Sequence, residues 1–154
     1  MVPLLMPLLL GASLLAALPH SASALDNGVA ALPPMGWSSW NSLGGNYNET
    51  TIMAQADAMV SSGMRDAGYV YINIDDLWAS KQRSVNGSLV PDQAKFPSGF
   101  HALSAYIHSK SLKFGLYSDV GTTTCGGQPG SFEHECADAK QFQDWVSPVV
   151  RKRE

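Results

Sequence analysis

The sharpest chemistry in the chain is a pair of adjacent carboxylates, Asp75 and Asp76, set where the apolar run Tyr69-Val70-Tyr71-Ile72-Asn73-Ile74 gives way to a polar stretch. Adjacent acids can serve as general acid and base, as metal ligands, or as acceptors for ligand hydroxyls. Neighbouring side chains on a strand point to opposite faces, so consecutive residues do not confront each other across a substrate. Retaining cleavage of a glycosidic bond needs two carboxylates about 5–5.5 Å apart on opposite sides of that bond. The pair is ill-suited to fill both of those roles. Turning out of a strand end together, it suits charge-assisted hydrogen bonds from several hydroxyls of one sugar. Standing alone, it would read equally well as an acidic turn.

Two tryptophans shift that balance. Trp37 and Trp78 lie at successive strand ends, and Trp78 closely follows the acids. An indole packs on the C–H face of a sugar at low entropic cost and keeps its N–H as a donor. A lone tryptophan is more often core than ligand platform; two at strand ends, beside acids, point to a site. Tyr117 and Asp119 share one face of a third strand end by their two-residue spacing. Tyr117 is a candidate for the pocket wall, while Asp119 is a candidate for the wall or for a loop cap. His101, His108 and His134 show no ligand spacing, and the Gly126-Gly127 loop lacks the pattern of a phosphate cradle. No metal and no cofactor is expected.

Three strand ends must therefore be held together: Met35-Gly36-Trp37, Ile74-Asp75-Asp76-Leu77-Trp78 and Tyr117-Ser118-Asp119-Val120-Gly121. Neighbours are about forty residues apart, the size of one βα unit of an α/β barrel, whose site gathers at the C-terminal strand ends. Between them, Ile52, Ala56, Met59, Val60 and Met64 recur at helical spacing after N-cap candidates at 48–51. Ser98 is placed to cap a helix through Phe100, Leu103, Tyr106 and Ile107, and a third helix is predicted over 133–145. Residues 79–97 form a polar excursion, where Asn86-Gly87 predicts a small hairpin. The fold class is thus α/β, the N-terminal part of a (β/α)8 barrel, with residues 25–145 as that part. After Trp145 the pattern breaks: residues 146–154 carry Ser147-Pro148 and a charged end where a fourth apolar strand is expected. The expectation is a chain that stops after three βα units and diverges in its tail.

Residues 1–24 read as a secretory signal peptide. Leu4, Leu5, Leu8 to Leu10, Leu14 and Leu15 make an apolar stretch too short to span a bilayer, and Ala22-Ser23-Ala24 is a cleavage site. A secreted, extracellular protein starting at Leu25 is expected, with no membrane association after cleavage; a single N-terminal anchor is the competing reading. The secretory route suits two N-glycosylation triplets, at Asn48 and Asn86. A net charge of −3 with 15% charged residues excludes a basic field for nucleic acid or anionic lipid. Cys125 and Cys136 are too few for a disulfide scaffold. They could pair with each other, or Cys125 could await a partner outside this chain.

At these residues the chain resembles glycoside hydrolase family 27, the secreted α-galactosidases (melibiases) that cleave terminal α-galactosides with retention. The resemblance rests on Pro33-Pro34-Met35-Gly36-Trp37-Ser38-Ser39-Trp40-Asn41, Asn73-Ile74-Asp75-Asp76, Phe96-Pro97-Ser98-Gly99, Tyr117-Ser118-Asp119-Val120-Gly121 and Asp138-Ala139-Lys140. It implies a complete (β/α)8 barrel followed by a β-sandwich, and α-galactoside oligosaccharides or polysaccharide side chains as partners. It also implies that Trp37 stacks on galactose, that Asp75 and Asp76 hold its 4- and 6-hydroxyls, and that Tyr117 lines the pocket. The family's nucleophile and acid/base lie on later strands, so this chain is expected to be inactive alone. A family disulfide is replaced by Gly44-Gly45 and Leu77, and Cys125 matches a family cysteine whose partner follows the nucleophile. The same fold also hosts α-N-acetylgalactosaminidases and β-L-arabinopyranosidases, and a galactose-binding fragment without catalysis is the non-enzymatic alternative.

Overall fold

The computed structural model describes residues 32–147. The expected signal peptide at 1–24 and most of the tail expected at 146–154 lie outside the described residues. Three parallel strands form one sheet in the order β1-β2-β3: Gly36–Ser38, Tyr71–Ile74 and Lys113–Leu116. Among the described residues four helices accompany them: α1 Trp40–Leu43, α2 Glu49–Ser61, α3 Gly99–Ser109 and α4 Glu135–Val146. Parallel neighbours in sequence order, each joined through a helix, are successive βα units. Among the described residues no helix is long and apolar enough to cross a membrane.

Register sets the two faces of the sheet. Trp37, Ile72 and Phe114 lie side by side, and so do Ser38, Asn73 and Gly115. Ile72 and Ile74 are fully buried and Phe114 nearly so, which marks theirs as the helix-covered face. The opposite face carries Gly36, Ser38, Tyr71, Asn73, Lys113 and Gly115, all exposed or half-buried. Gly115 is required there, because a Cβ at that position would collide with Asn73 Oδ1.

The helices cover the first face as their spacing predicts. Ile52, Ala56 and Met59 bury one stripe of α2, and Phe100, Leu103 and Ile107 bury one stripe of α3. Asn48 caps α2, accepting from the Thr51 N–H at 3.0 Å through Oδ1. Ser98 precedes α3 but makes no side-chain cap. Instead the Glu49 carboxylate reaches over from α2 and accepts from the Ser98 N–H and hydroxyl, each at 3.0 Å. The excursion between β2 and α3 is a loop pinned by an isolated antiparallel bridge, Ala79 with Pro91, and a turn from Ser84 to Ser88. It does not form the paired strands of a hairpin.

An aromatic cluster joins the end of β2 to the helices. Trp78 packs against Phe100 at 5.2 Å between ring centroids and against Trp145 at 5.8 Å, and Phe100 meets Phe96 at 4.8 Å. A second junction is electrostatic. Arg83 donates to both Asp138 oxygens at 2.7 Å and to the Gly87 and Gly130 carbonyls at 2.8 and 2.7 Å. This fork ties the excursion to the loop after β3 and to α4, with Asp138 buried.

Candidate functional site at the strand ends

The C-terminal end of β2 leads directly into the acid turn. Ser39, wholly buried just after β1, fixes its entry: its N–H donates to the Asn73 carbonyl and its hydroxyl accepts from the Asp75 N–H at 3.0 Å. Tyr47 fixes the backbone beyond, donating from its hydroxyl to the Asp75 and Asp76 carbonyls at 3.0 and 2.5 Å. Burial, followed by the nearby Asp76 and Asp75 carboxylates, pushes the Tyr47 hydroxyl far above the ordinary tyrosine range, so it remains a donor. Leu77 completes the turn at φ 76°, a left-handed conformation costly for a branched residue.

The two acids are held differently. Asp75 continues the open face that Tyr71 and Asn73 define, and it is half-buried. Its Oδ1 accepts from the Asp76 N–H at 2.7 Å, and the Ser38 hydroxyl approaches Oδ2 at 3.4 Å. Asp76 is 3% exposed, and each of its oxygens is met by a backbone donor: Oδ1 by Leu77 N–H at 2.8 Å and Oδ2 by Gly126 N–H at 2.6 Å. A carboxylate has about four lone-pair sites. Asp76 therefore retains acceptor capacity after anchoring the turn to the loop that follows β3.

Tyr117 leaves β3 on the same face as Lys113 and Gly115, so it shares the open side with Asp75. Its hydroxyl pKa is raised, first by partial burial and then by the neighbouring Cys125, Asp76 and Asp119 groups. Asp119 caps its own loop, its Oδ1 accepting from the Gly121 N–H at 2.6 Å. Cys125 and Cys136 are both exposed and unpaired. Asn86 is exposed on the turn of the excursion, while Asn48 is occupied in capping α2. Among the described residues no three His, Cys, Asp or Glu side chains gather as a metal cluster.

Trp78 does not follow the sequence reading. Trp78 is a core residue at 3% exposure, and its Nε1 donates to the Tyr117 carbonyl at 2.8 Å. It braces the β2 and β3 ends from behind instead of presenting a platform. Trp37, expected to stack on a sugar, aligns with Ile72 on the helix-covered face and packs against the core. The exposed indole at this end is Trp40, 45% exposed at the start of α1 and next to Ser39.

Three parallel βα units carry an acid turn, a tyrosine and an exposed indole at their C-terminal strand ends, the end at which α/β barrels gather their sites. The family model described as alpha galactosidase A (melibiase) matches residues 32–152, and the chain belongs to that family. Alpha-galactosidase 2 of Arabidopsis thaliana is 55% identical over 127 residues, covering 82% of this chain and 32% of the relative. Alpha-galactosidase I from Mortierella vinacea superposes with TM-score 0.77 at 43% identity, over 79% of this chain and 31% of its own. The Saccharomyces cerevisiae enzyme with raffinose gives TM-score 0.73 at 41% identity, over 77% of this chain and 26% of its own. This chain thus spans about a third of the length of the curated relatives it matches.

Proposed function

We propose that residues 32–147 are the first three βα units of an α-galactosidase barrel and form the part of its site that holds the terminal galactose. The carrying observation is the division of labour in the acid turn. Asp75 presents a carboxylate on the open face, while Asp76 locks the turn and keeps spare lone pairs beside it. In this reading Asp75, with Asp76, accepts hydroxyls of the sugar, Tyr117 lines the pocket, and the ring packs on an indole at the strand ends, the half-buried Trp37 or the exposed Trp40. The likeness to the yeast enzyme with raffinose supports an α-galactoside as the substrate class.

Asp75 and Asp76 are consecutive, and Asp76 turns inward, so they do not flank a scissile bond as retention requires. The nucleophile and the acid/base are proposed to come from later strands of such a barrel, and the 154-residue chain alone is expected not to turn over. Secretion with cleavage after Ala24, and a glycan at the exposed Asn86, are part of the same proposal. They rest on the leucine-rich leader and on the Asn-Gly-Ser triplet.

The direct test is a graft of residues 32–147 in place of the matching segment of the Arabidopsis relative. The expected outcome is hydrolysis of a chromogenic α-galactoside, competitively inhibited by galactose. Asp75→Asn in the graft should weaken that inhibition about ten- to hundred-fold, as for one lost charge-assisted hydrogen bond. Unchanged inhibition would rule out the hydroxyl-holding role.

A further inference from the structure

The acid turn is left-handed at Leu77, and something must hold it there against the tendency of that residue to relax. Lys95, distant in sequence and half-buried, sits in the place to do so. Its ammonium donates to the Gly45 carbonyl at 2.9 Å and to the Leu77 carbonyl at 2.8 Å. It also lies over the Tyr47 ring, 4.8 Å from the centroid. Tyr47 in turn donates to the carbonyls of Asp75 and Asp76. One cation thus grips both ends of the three-residue turn, directly at Leu77 and through Tyr47 at the acids.

We propose that Lys95 is a positioning residue for the acid turn. By tying the Gly45 and Leu77 backbones together it sets the direction in which the Asp75 carboxylate points, without touching the sugar itself. The inference rests on the hydroxyl-holding reading of Asp75 given above. Two features favour positioning over general stabilisation. All the partners of Lys95 are backbone carbonyls or the ring beneath it, so its charge neutralises no carboxylate among its contacts. The contact it closes is also tight, since Leu77 Cδ1 occupies the space that a Cβ on Gly45 would need.

The same geometry supplies an independent control. A Cβ built on Gly45 lies 3.5 Å from Leu77 Cβ, within the window of about 3.5–4.5 Å that a disulfide requires. Replacing both residues by cysteine removes the colliding leucine and can join by a covalent bond the backbones that Lys95 joins by hydrogen bonds.

In the grafted enzyme, Lys95→Met should raise KM for the α-galactoside and weaken galactose inhibition about ten-fold, because small misplacements of a binding group are costly. The pH profile of kcat should be unmoved, since no titrating group that does chemistry is altered. Lys95→Arg should restore most of the loss. Adding Gly45→Cys and Leu77→Cys to Lys95→Met should restore binding when oxidised and lose it again on reduction. Lys95→Met that lowers the melting temperature but leaves KM and galactose inhibition unchanged would overturn the proposal, and so would oxidation that fails to rescue binding. Asp75→Asn run in parallel separates the two claims. If Asp75→Asn weakens galactose and Lys95→Met does not, only the positioning role fails. If Asp75→Asn leaves galactose inhibition intact, the reading beneath it fails.

Discussion

Asp75→Asn and Asp76→Asn make one chemical change at two neighbouring positions, and the structure requires them to fail in different ways. Asp76 is 3% exposed and offers one oxygen to Leu77 N–H at 2.8 Å and the other to Gly126 N–H at 2.6 Å. An asparagine has one oxygen, so whichever way its amide turns, an NH2 group faces a backbone N–H. The loss is a charge-assisted hydrogen bond, about 1.5–3 kcal/mol, with an enclosed donor left unsatisfied. Asp75 keeps its bond from Asp76 N–H through an asparagine oxygen, and the Ser38 hydroxyl, 3.4 Å from Oδ2, can rotate to accept from the new NH2. Its stability cost should stay within about 0.5 kcal/mol, because the asparagine can keep both hydrogen bonds. In urea unfolding of the graft, Asp76→Asn should lower the unfolding free energy by about 2 kcal/mol and Asp75→Asn by almost nothing. Galactose inhibition should weaken in both. Equal destabilisation by the two variants, or none by Asp76→Asn, would refute the division of labour between the acids.

Other expectations follow from the scaffold. Arg83→Met strands the buried Asp138 carboxylate and should cost about 3 kcal/mol in the same unfolding assay, as for a broken buried ion pair. Burial alone would raise the Asp138 pKa, but Arg83 and Ser131 hydrogen bonds and the Arg83 and His134 charges outweigh it, so it sits below its usual 3.8. A folded-state pKa below the unfolded one gives stability that is complete above about pH 4 and fades as pH falls through the folded value. An Asp138→Asn variant should lose that acid limb, read as a flatter unfolding midpoint as pH falls below the unfolded value of about 4. Asn48→Ala should cost about 1 kcal/mol through loss of the α2 cap, whereas Asn86→Gln should leave stability unchanged and remove any glycan-dependent mass on secreted material. Amino-terminal sequencing of secreted chain should begin at Leu25, and a start at Met1 would overturn the signal-peptide proposal.

What the sequence disclosed and what it hid divide along the range of the interactions involved. The β2 strand was legible because β-branched and aromatic residues run almost unbroken to Ile74, as a strand buried by local covering requires. The stripes of α2 and α3 were legible from spacing alone. The face of Trp37 was not, because a three-residue strand offers no alternation to read and only pairing with Ile72 assigns it. Trp78 was misplaced for a related reason: its core partners Phe100, Phe142 and Trp145 arrive from two later helices. Ser98 looks like a helix cap in sequence, yet the capping oxygen comes from Glu49, forty-nine residues earlier in the chain. Asp119 reads from sequence as pocket wall or loop cap, and its short bond from the Gly121 N–H makes it the loop cap. Asp75 and Asp76 stand out in the sequence, but nothing in their order reveals that one lies on the open face and the other holds Gly126.

The arrangement of the indoles carries an optical consequence. Trp78 and Trp145 are enclosed, edge to face, among phenylalanines, while Trp40 stands 45% exposed at the strand ends. Enclosed indoles emit towards the blue and resist collisional quenchers; an exposed one emits towards the red and is quenched readily. One emission spectrum therefore carries a blue component that reports the integrity of the aromatic cluster and a red component that reports the start of α1, with the half-buried Trp37 emitting between them. The molecule has its spectroscopic labels already sorted by location, with no dye required.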